Sequence, residues 1–243
     1  MRIPEVAVRA GDALVSLFFP PHCAGCGADT LRGVHVCADC ASRARPIEAP
    51  FCQRCSEPFE GAIDGDFQCA NCGDRKLQFE CAVAPYLSRG IVREFIHRFK
   101  YDHERFLRRP LGDWLADALS DARLQNPPFD AIVPVPLHPT RLRERGFNQA
   151  ALLAELLGER AAVPVFDCLQ RTRYTTTQTR LDRHERMENL RNAFRVRQSA
   201  PVQSRHLLIV DDVFTTGSTV DECARVLRLA GAASVRVATV ARG

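Results

Sequence analysis

The sequence predicts an α/β protein: a mainly parallel sheet flanked by helices, with a small cysteine-rich module ahead of it. Three observations predict this. Short apolar runs around Ala82, Ile132, Val165, Leu208 and Val237 alternate with helical periodicities, the rhythm of parallel strands joined by crossovers. Eight of the eleven cysteines fall in four Cys-x-x-Cys pairs in the first third of the chain. One strand-like run, Leu207 to Val210, is wholly apolar and leads into Asp211-Asp212-Val213-Phe214-Thr215-Thr216-Gly217-Ser218-Thr219. A run of that kind suits a strand buried on both faces.

At 243 residues there is room for a small module and one full domain. The division expected is an amphipathic helix over 1–20, a cysteine module over 21–78 and the sheet domain over 79–243. The net charge of +4 does not by itself announce a nucleic-acid binder. Nearly all the cations are arginines; Lys76 and Lys100 are the two lysines. Arginine grips phosphate bidentately but cannot serve as a base near neutral pH. No run is long enough to span a membrane, and Arg9 and Asp12 interrupt the approach to the apolar Ala13–Phe19, which argues against a signal peptide. A cytoplasmic location is expected, where clustered thiols bind metal more often than they form disulfides.

The cysteine pairs are Cys23/Cys26, Cys37/Cys40, Cys52/Cys55 and Cys69/Cys72. Each pair can turn two thiolates toward one point, and two pairs complete a tetrahedral shell. The expectation is two structural Zn2+ sites, paired sequentially, although a cross-braced pairing has the same spacing. Four thiolates leave no open ligand position, and the segment has too little apolar material to fold without metal. His22 and His35 are surplus to such shells. Cys81, Cys168 and Cys223 lie in apolar contexts and read as core residues.

Ala82–Tyr86 reads as a first strand. Gly90–Tyr101 reads as a helix with Ile91, Phe95, Ile96 and Phe99 on its apolar face. It ends in Lys100 and Tyr101, either as cations suited to a helix C-terminus or as part of a hood over a ligand. Leu107–Leu124 reads as a second helix. Ala131–Pro136 is a strand, followed by a loop carrying Arg141, Arg143 and Arg145 and by a helix through Leu157. A strand end, a loop and a helix start form an anion-binding corner. Val163–Leu169 reads as a strand. The stretch after it, with Arg173, Thr176, Gln178 and Arg180, is polar and lacks core periodicity; Leu181–Asn192 reads as helical. The helix after Val220 breaks at Gly231, and Ser234–Val240 is the last strand.

The acidic stretch has its own chemistry. Helix N-termini carry unpaired N–H groups and a positive dipole end. Gly217 allows close backbone approach, and the hydroxyls of Thr215, Thr216, Ser218 and Thr219 add donors. Paired acids beside such a cradle call for neutral or cationic company, such as ribose hydroxyls or Mg2+. Neither GxxxxGK[ST] nor GxGxxG occurs.

The thirteen positions Leu207–Thr219 resemble the 5-phosphoribosyl-1-pyrophosphate (PRPP) signature of type I phosphoribosyltransferases. The wider set is similar to the ComF/GntX family, bacterial proteins with a zinc-ribbon module ahead of a phosphoribosyltransferase-like domain. That set is the four knuckles, Phe95-Ile96-His97-Arg98-Phe99-Lys100-Tyr101, the Val133–Gln149 loop, Arg171-x3-Thr175-x2-Gln178-Thr179, and Val210–Thr219. The resemblance implies a type I phosphoribosyltransferase-like fold behind a double zinc ribbon. It implies PRPP, or a 5-phosphate nucleotide, as ligand: ribose and Mg2+ at Asp211 and Asp212, the 5-phosphate at Thr215, Thr216, Gly217, Ser218 and Thr219. Pyrophosphate would lie at Arg141, Arg143 and Arg145. A flexible loop with Arg173, Thr176, Gln178 and Arg180 would close over the centre. The family's link to DNA uptake implies either transfer of ribose 5-phosphate to or from a nitrogenous acceptor, or a non-catalytic pocket whose ribbon meets single-stranded DNA or an uptake helicase or other partner. One departure stands out: the pyrophosphate loop has arginines and no lysine.

Overall fold

The computed structural model describes residues 21–61, 63, 65–174, 190–198 and 200–243. The expected helix over 1–20, most of the helical stretch 181–192, and Thr176, Gln178 and Arg180 lie outside them. The chain divides into two compact units, Met1–Ala44 and Arg45–Gly243. No helix among the described residues is long and apolar enough to cross a membrane.

In the first unit the chain folds back on itself between Cys23 and Ala28, whose backbones pair at 2.7 Å, and α1 (Ala38–Ala41) starts just after Cys37 and carries Cys40. His22 is not drawn to the thiols; its Nδ1 lies 3.0 Å from Asp29.

The second unit is built on a parallel sheet. Its strands are β1 (Ala82–Val83), β2 (Tyr86–Leu87), β3 (Ala131–Pro134), β6 (His206–Phe214) and β7 (Ser234–Arg242). The order is β1-β7-β6-β3, with β2 continuing along the same edge of β7 as β1. The expected first strand is therefore broken in two. Pro85 has no N–H to give, and Ala84 donates its own to Ser56 Oγ at 3.2 Å instead of to a neighbouring strand. Val165 adds only a single parallel bridge to Ile132, so the strand expected over 163–169 does not extend. Leu169–Arg171 (β4) instead pairs antiparallel with Phe194–Val196 (β5), a hairpin base that sequence periodicity did not suggest.

Helix α2 (Ala70–Gly73) starts just after Cys69 and carries Cys72. Helix α3 (Gly90–Tyr101) buries Ile91, Phe95, Ile96 and Phe99 as its periodicity predicts, with Val92 beside them. The single helix expected over 107–124 is segmented: 3-10 turns at Arg105–Leu107 and Asp117–Ser120 flank α4 (Arg108–Ala116), and α5 (Ala122–Gln125) follows. Short polar side chains cause the break. Ser120 Oγ donates to the Asp117 carbonyl at 2.7 Å, and Asp121 caps α5 by accepting from Arg123 N at 2.9 Å. Helices α6 (Pro139–Arg145), α7 (Gln149–Ala161) and α8 (Ser218–Leu229) complete the layers.

Alternation along the strands sorts the two faces. Val133, Leu207, Ile209, Val235 and Val237 share one cluster with Val220, Cys223 and Leu227 of α8. Ile132 points the other way, toward Gly158 of α7. The α8 face also holds Cys52, Cys55, Cys69 and Cys72, together with Leu77 and Phe79. Cys81, Cys168 and Cys223 are buried, as their apolar contexts predict.

Candidate functional site

β6 lies between β3 and β7, and all three run parallel. The segments after β3 and β6 therefore leave the same sheet edge side by side, with Val135 N donating to Val210 O at 3.0 Å. The crevice outside the carboxyl ends of parallel strands is where such sheets bind ligands.

Asp211 and Asp212 are near the end of β6. Each carboxylate accepts the N–H of the next residue at 2.9 Å, which fixes both side chains. Asp212 is almost fully buried, and the Lys100 ammonium from the end of α3 lies 2.5 Å from its Oδ2. The Asp212 charge holds the Lys100 ammonium above its usual range despite burial. Burial, and next the charge of Asp212, push the Asp211 carboxyl well above the ordinary carboxylate range. The two acids and one lysine thus form a nearly neutral group. This is the cationic company that the paired acids required.

Beyond Phe214 the chain turns through Thr215, Thr216 and Gly217 into α8. Gly217 is the N-cap and has φ +75°. A Cβ there would sit 2.5 Å from the Phe214 ring, so both backbone and packing demand glycine. Thr216 Oγ1 and Ser218 Oγ lie 3.0 Å apart across the turn. Residues Asp211 and Val213–Val220 line one small concavity, open to solvent. Hydroxyls, the first N–H groups of α8 and its positive dipole end all meet there, which is chemistry suited to an anion.

The arginine loop folds further than expected, as α6, capped at its start by His138 and at its end by left-handed Gly146. Arg145 reaches Gln149 Oε1 at 2.6 Å and lies over the Tyr101 ring. Arg141 pairs with Glu144 at 3.3 Å and lies over Tyr174. Arg143 is exposed beside Thr140. Arg173 is exposed and donates to the Arg191 carbonyl at 3.2 Å.

The cysteines form two groups of four, Cys23/Cys26/Cys37/Cys40 and Cys52/Cys55/Cys69/Cys72, with the sulfurs of each within 4.8 Å of one another. The pairing is sequential. Tetrahedral Zn–S bonds of about 2.3 Å place neighbouring sulfurs about 3.8 Å apart. Cys26 and Cys37 are at 3.7 Å and Cys55 and Cys69 at 3.6 Å, so both groups fit a zinc ion.

Comparison with known proteins agrees with this geometry. Residues 14–74 match a double zinc ribbon domain, and residues 142–243 match a phosphoribosyl transferase domain. The chain is 37% identical over 212 residues to the DNA utilization protein YhgH of Escherichia coli (strain K12), covering 83% of this chain and 88% of that one. It is 31% identical over 215 residues to Competence protein F of Haemophilus influenzae, covering 85% and 90%. The chain belongs to the ComF/GntX family. Competence protein ComFC of Streptococcus pneumoniae is similar at 25% identity over 212 residues, covering 82% and 90%.

In this ComF/GntX chain the acids, the hydroxyl turn and Lys100 converge directly, and Tyr101 joins them to the arginine loop through Arg145. Arg171, the arginine that opens the Arg-x3-Thr-x2-Gln-Thr stretch, is on β4, half-buried against the Phe194 ring and within the fields of Asp211 and Arg141. One further cation was missed from sequence. Arg75, three residues past Cys72, donates to the Thr216 carbonyl at 2.8 Å. It belongs to no motif that marks it and is brought in by packing between segments far apart in the chain.

Proposed function

We propose that this chain binds PRPP with Mg2+ and transfers ribose 5-phosphate to or from a nitrogenous acceptor. The carrying observation is the single concavity that runs from Asp211 through Thr219 at the end of the central strand. The 5-phosphate sits on the Thr215–Thr219 turn, where N–H and hydroxyl donors converge. Asp211 and Asp212 accept from the ribose 2- and 3-hydroxyls. Pyrophosphate lies toward Arg141, Arg143 and Arg145; Asp211 and Asp212 would be the residues to hold an accompanying Mg2+, which would supply charge neutralisation of the leaving group. Lys100 supplies a cation that the arginine loop lacks, and Arg173, Thr176, Gln178 and Arg180 belong to the closing segment. In transfer, the bond from the anomeric carbon to pyrophosphate oxygen breaks and a bond to acceptor nitrogen forms, and the acceptor gives up a proton. Positive charge develops on the ribose, and the acids beneath it stabilise that charge.

Calorimetric titration with PRPP and Mg2+ tests binding. Asp212→Asn should weaken it by at least ten-fold, on the order of one charge-assisted pair of hydrogen bonds. Equal affinity in the variant removes the assignment of the acids. Pyrophosphate release with a panel of nitrogenous acceptors tests transfer; silence across the panel leaves a binding protein.

A second reading rests on a different observation. Two exposed rings have arginines against them: Tyr101 is 55% exposed under Arg145, and Tyr174 is 44% exposed beside Arg141. Aromatic faces with arginine suit stacked bases of single-stranded DNA, and relatives carry names tied to DNA utilization and competence. Fluorescence anisotropy with a labelled single strand should show salt-dependent binding that Tyr174→Ala weakens. A flat response at low salt ends this reading.

A further inference from the structure

The hydroxyl turn is held from outside by a short segment that follows the second cysteine group. Arg75 lies three residues beyond Cys72, and its N–H donates back to the Cys72 carbonyl at 3.3 Å. Its side chain is 13% exposed. Nη1 donates to the carbonyl of Thr216 at 2.8 Å, and Nη2 lies 3.7 Å from Asp221 in the first turns of α8. Gln78 N donates to the other oxygen of Asp221 at 2.7 Å. One residue further, the Phe79 ring meets Phe214 edge-on at 5.9 Å, and Phe214 is the ring that packs under Gly217. Segment 75–79 therefore grips the turn at its strand end, its middle and its helix end.

We infer that Arg75 is a positioning residue for the anion cradle, tying it to the second cysteine group. The physical reason is the orientation of one peptide. The guanidinium engages the Thr216 carbonyl, so that carbonyl does not turn its negative end toward a bound phosphate. With that peptide fixed, the N–H groups that follow, at Gly217 and Ser218, keep their directions. This does not require Arg75 to touch the ligand. Lysine is a poor substitute, because a single ammonium cannot serve the carbonyl and the carboxylate in one plane.

This inference rests on the ribose 5-phosphate reading above, and the experiment separates the two. The zinc-loaded full chain is titrated calorimetrically with ribose 5-phosphate and, separately, with inorganic pyrophosphate. Failure of the unaltered protein to bind ribose 5-phosphate overturns the reading of the cradle itself. Where it binds, Arg75→Met should lose about ten-fold in affinity for ribose 5-phosphate, the scale of one charged hydrogen bond, and nothing for pyrophosphate. Unchanged ribose 5-phosphate affinity overturns the positioning role while leaving the reading intact. An equal loss for both ligands overturns it too, because it marks general damage. If Arg75→Met does not fold, Asp221→Asn is measured in its place; it removes the charge facing Arg75 and should lose about three-fold for ribose 5-phosphate alone. No loss in that variant overturns the role.

Discussion

The two cysteine groups have the same Cys-x-x-Cys pairs and nearly the same sulfur spacing, yet they live in different surroundings. In the first, Cys26 is exposed and Cys37 half-buried. Its sulfurs are met mainly by local donors: Gly25 and Cys37 N–H groups at Cys23, and Arg43 at Cys40. In the second, all four cysteines are buried and belong to the cluster that also contains Phe79, Phe214, Ile209 and Val220. There the ligands are part of the core of a sheet domain. The difference teaches that a coordination signature fixes local geometry and says little about what depends on it. A metal ion would be nearly the whole core of the first group; in the second it would be one component of a core that also packs against the Thr215–Gly217 turn through Phe79 and Phe214.

The largest expected effect breaks the groups one at a time. Cys52→Ser should cost the second unit several kcal/mol, because it leaves three buried thiolates around an incomplete site. Cys26→Ser should leave the thermal unfolding transition of the sheet domain within about 0.5 kcal/mol of the unaltered protein, as for an exposed position. Circular dichroism melts of both variants check this. Equal losses would show that the two groups are equivalent and the comparison mistaken.

A smaller effect concerns the arginines that brace each group. Arg123 donates to the carbonyls of Cys52 and Gln53 and to Ser56 Oγ, pairs with Asp121, and lies over the Phe51 ring at 4.7 Å. The Arg43 side chain donates to Cys40 Sγ at 3.3 Å. Arg123→Ala should cost about 2–3 kcal/mol through the buried acceptors it strands, and Arg43→Ala under about 1 kcal/mol. Urea titrations followed by tryptophan fluorescence, with Trp114 packed on Phe95 and Tyr86, report the first of these.

How much of this was legible in the sequence follows from how local each signal is. The cysteine spacing, the apolar face of α3 and the Leu207–Thr219 stretch are contiguous, so periodicity and spacing carry them. The structure places Asp211 and the hydroxyl turn on one concavity, while Asp212 is buried against Lys100. The segmentation of 107–124 was hidden because Ser120 and Asp121 look tolerable in a helix until their side chains are seen bonding to nearby backbone groups. The β4–β5 hairpin was hidden because its strands are three residues each and more than twenty positions apart. Lys100 is ambiguous in the sequence because a basic helix end has two ordinary explanations, and its salt bridge to Asp212 joins segments too far apart for any local pattern to show. Arg75 carried no signal, since it works through partners distant in sequence.

The smallest effect is an order of events rather than an energy. Zinc-loaded protein challenged with a chelator at pH 8 should release metal in two phases, and iodoacetamide should follow that order. The first group has a sulfur in contact with solvent, so water and chelator can replace one ligand without prior opening. The second group has none, and its metal leaves only after the surrounding core opens, which is a costlier fluctuation. Mass spectrometry should therefore find Cys26 and Cys37 alkylated in the early phase, and Cys52 and Cys55 later. Cys81 and Cys168 should lag behind both. Burial pushes each of these thiols up to about 11, so at pH 8 the reactive thiolate is scarce even where reagent arrives. Raising the pH toward 10 should speed the core thiols relative to the clusters, because their thiolate fraction rises steeply there. Release of both metals in one phase, or alkylation of Cys52 together with Cys26, would mean that the second group opens as readily as the first and that its burial confers no protection.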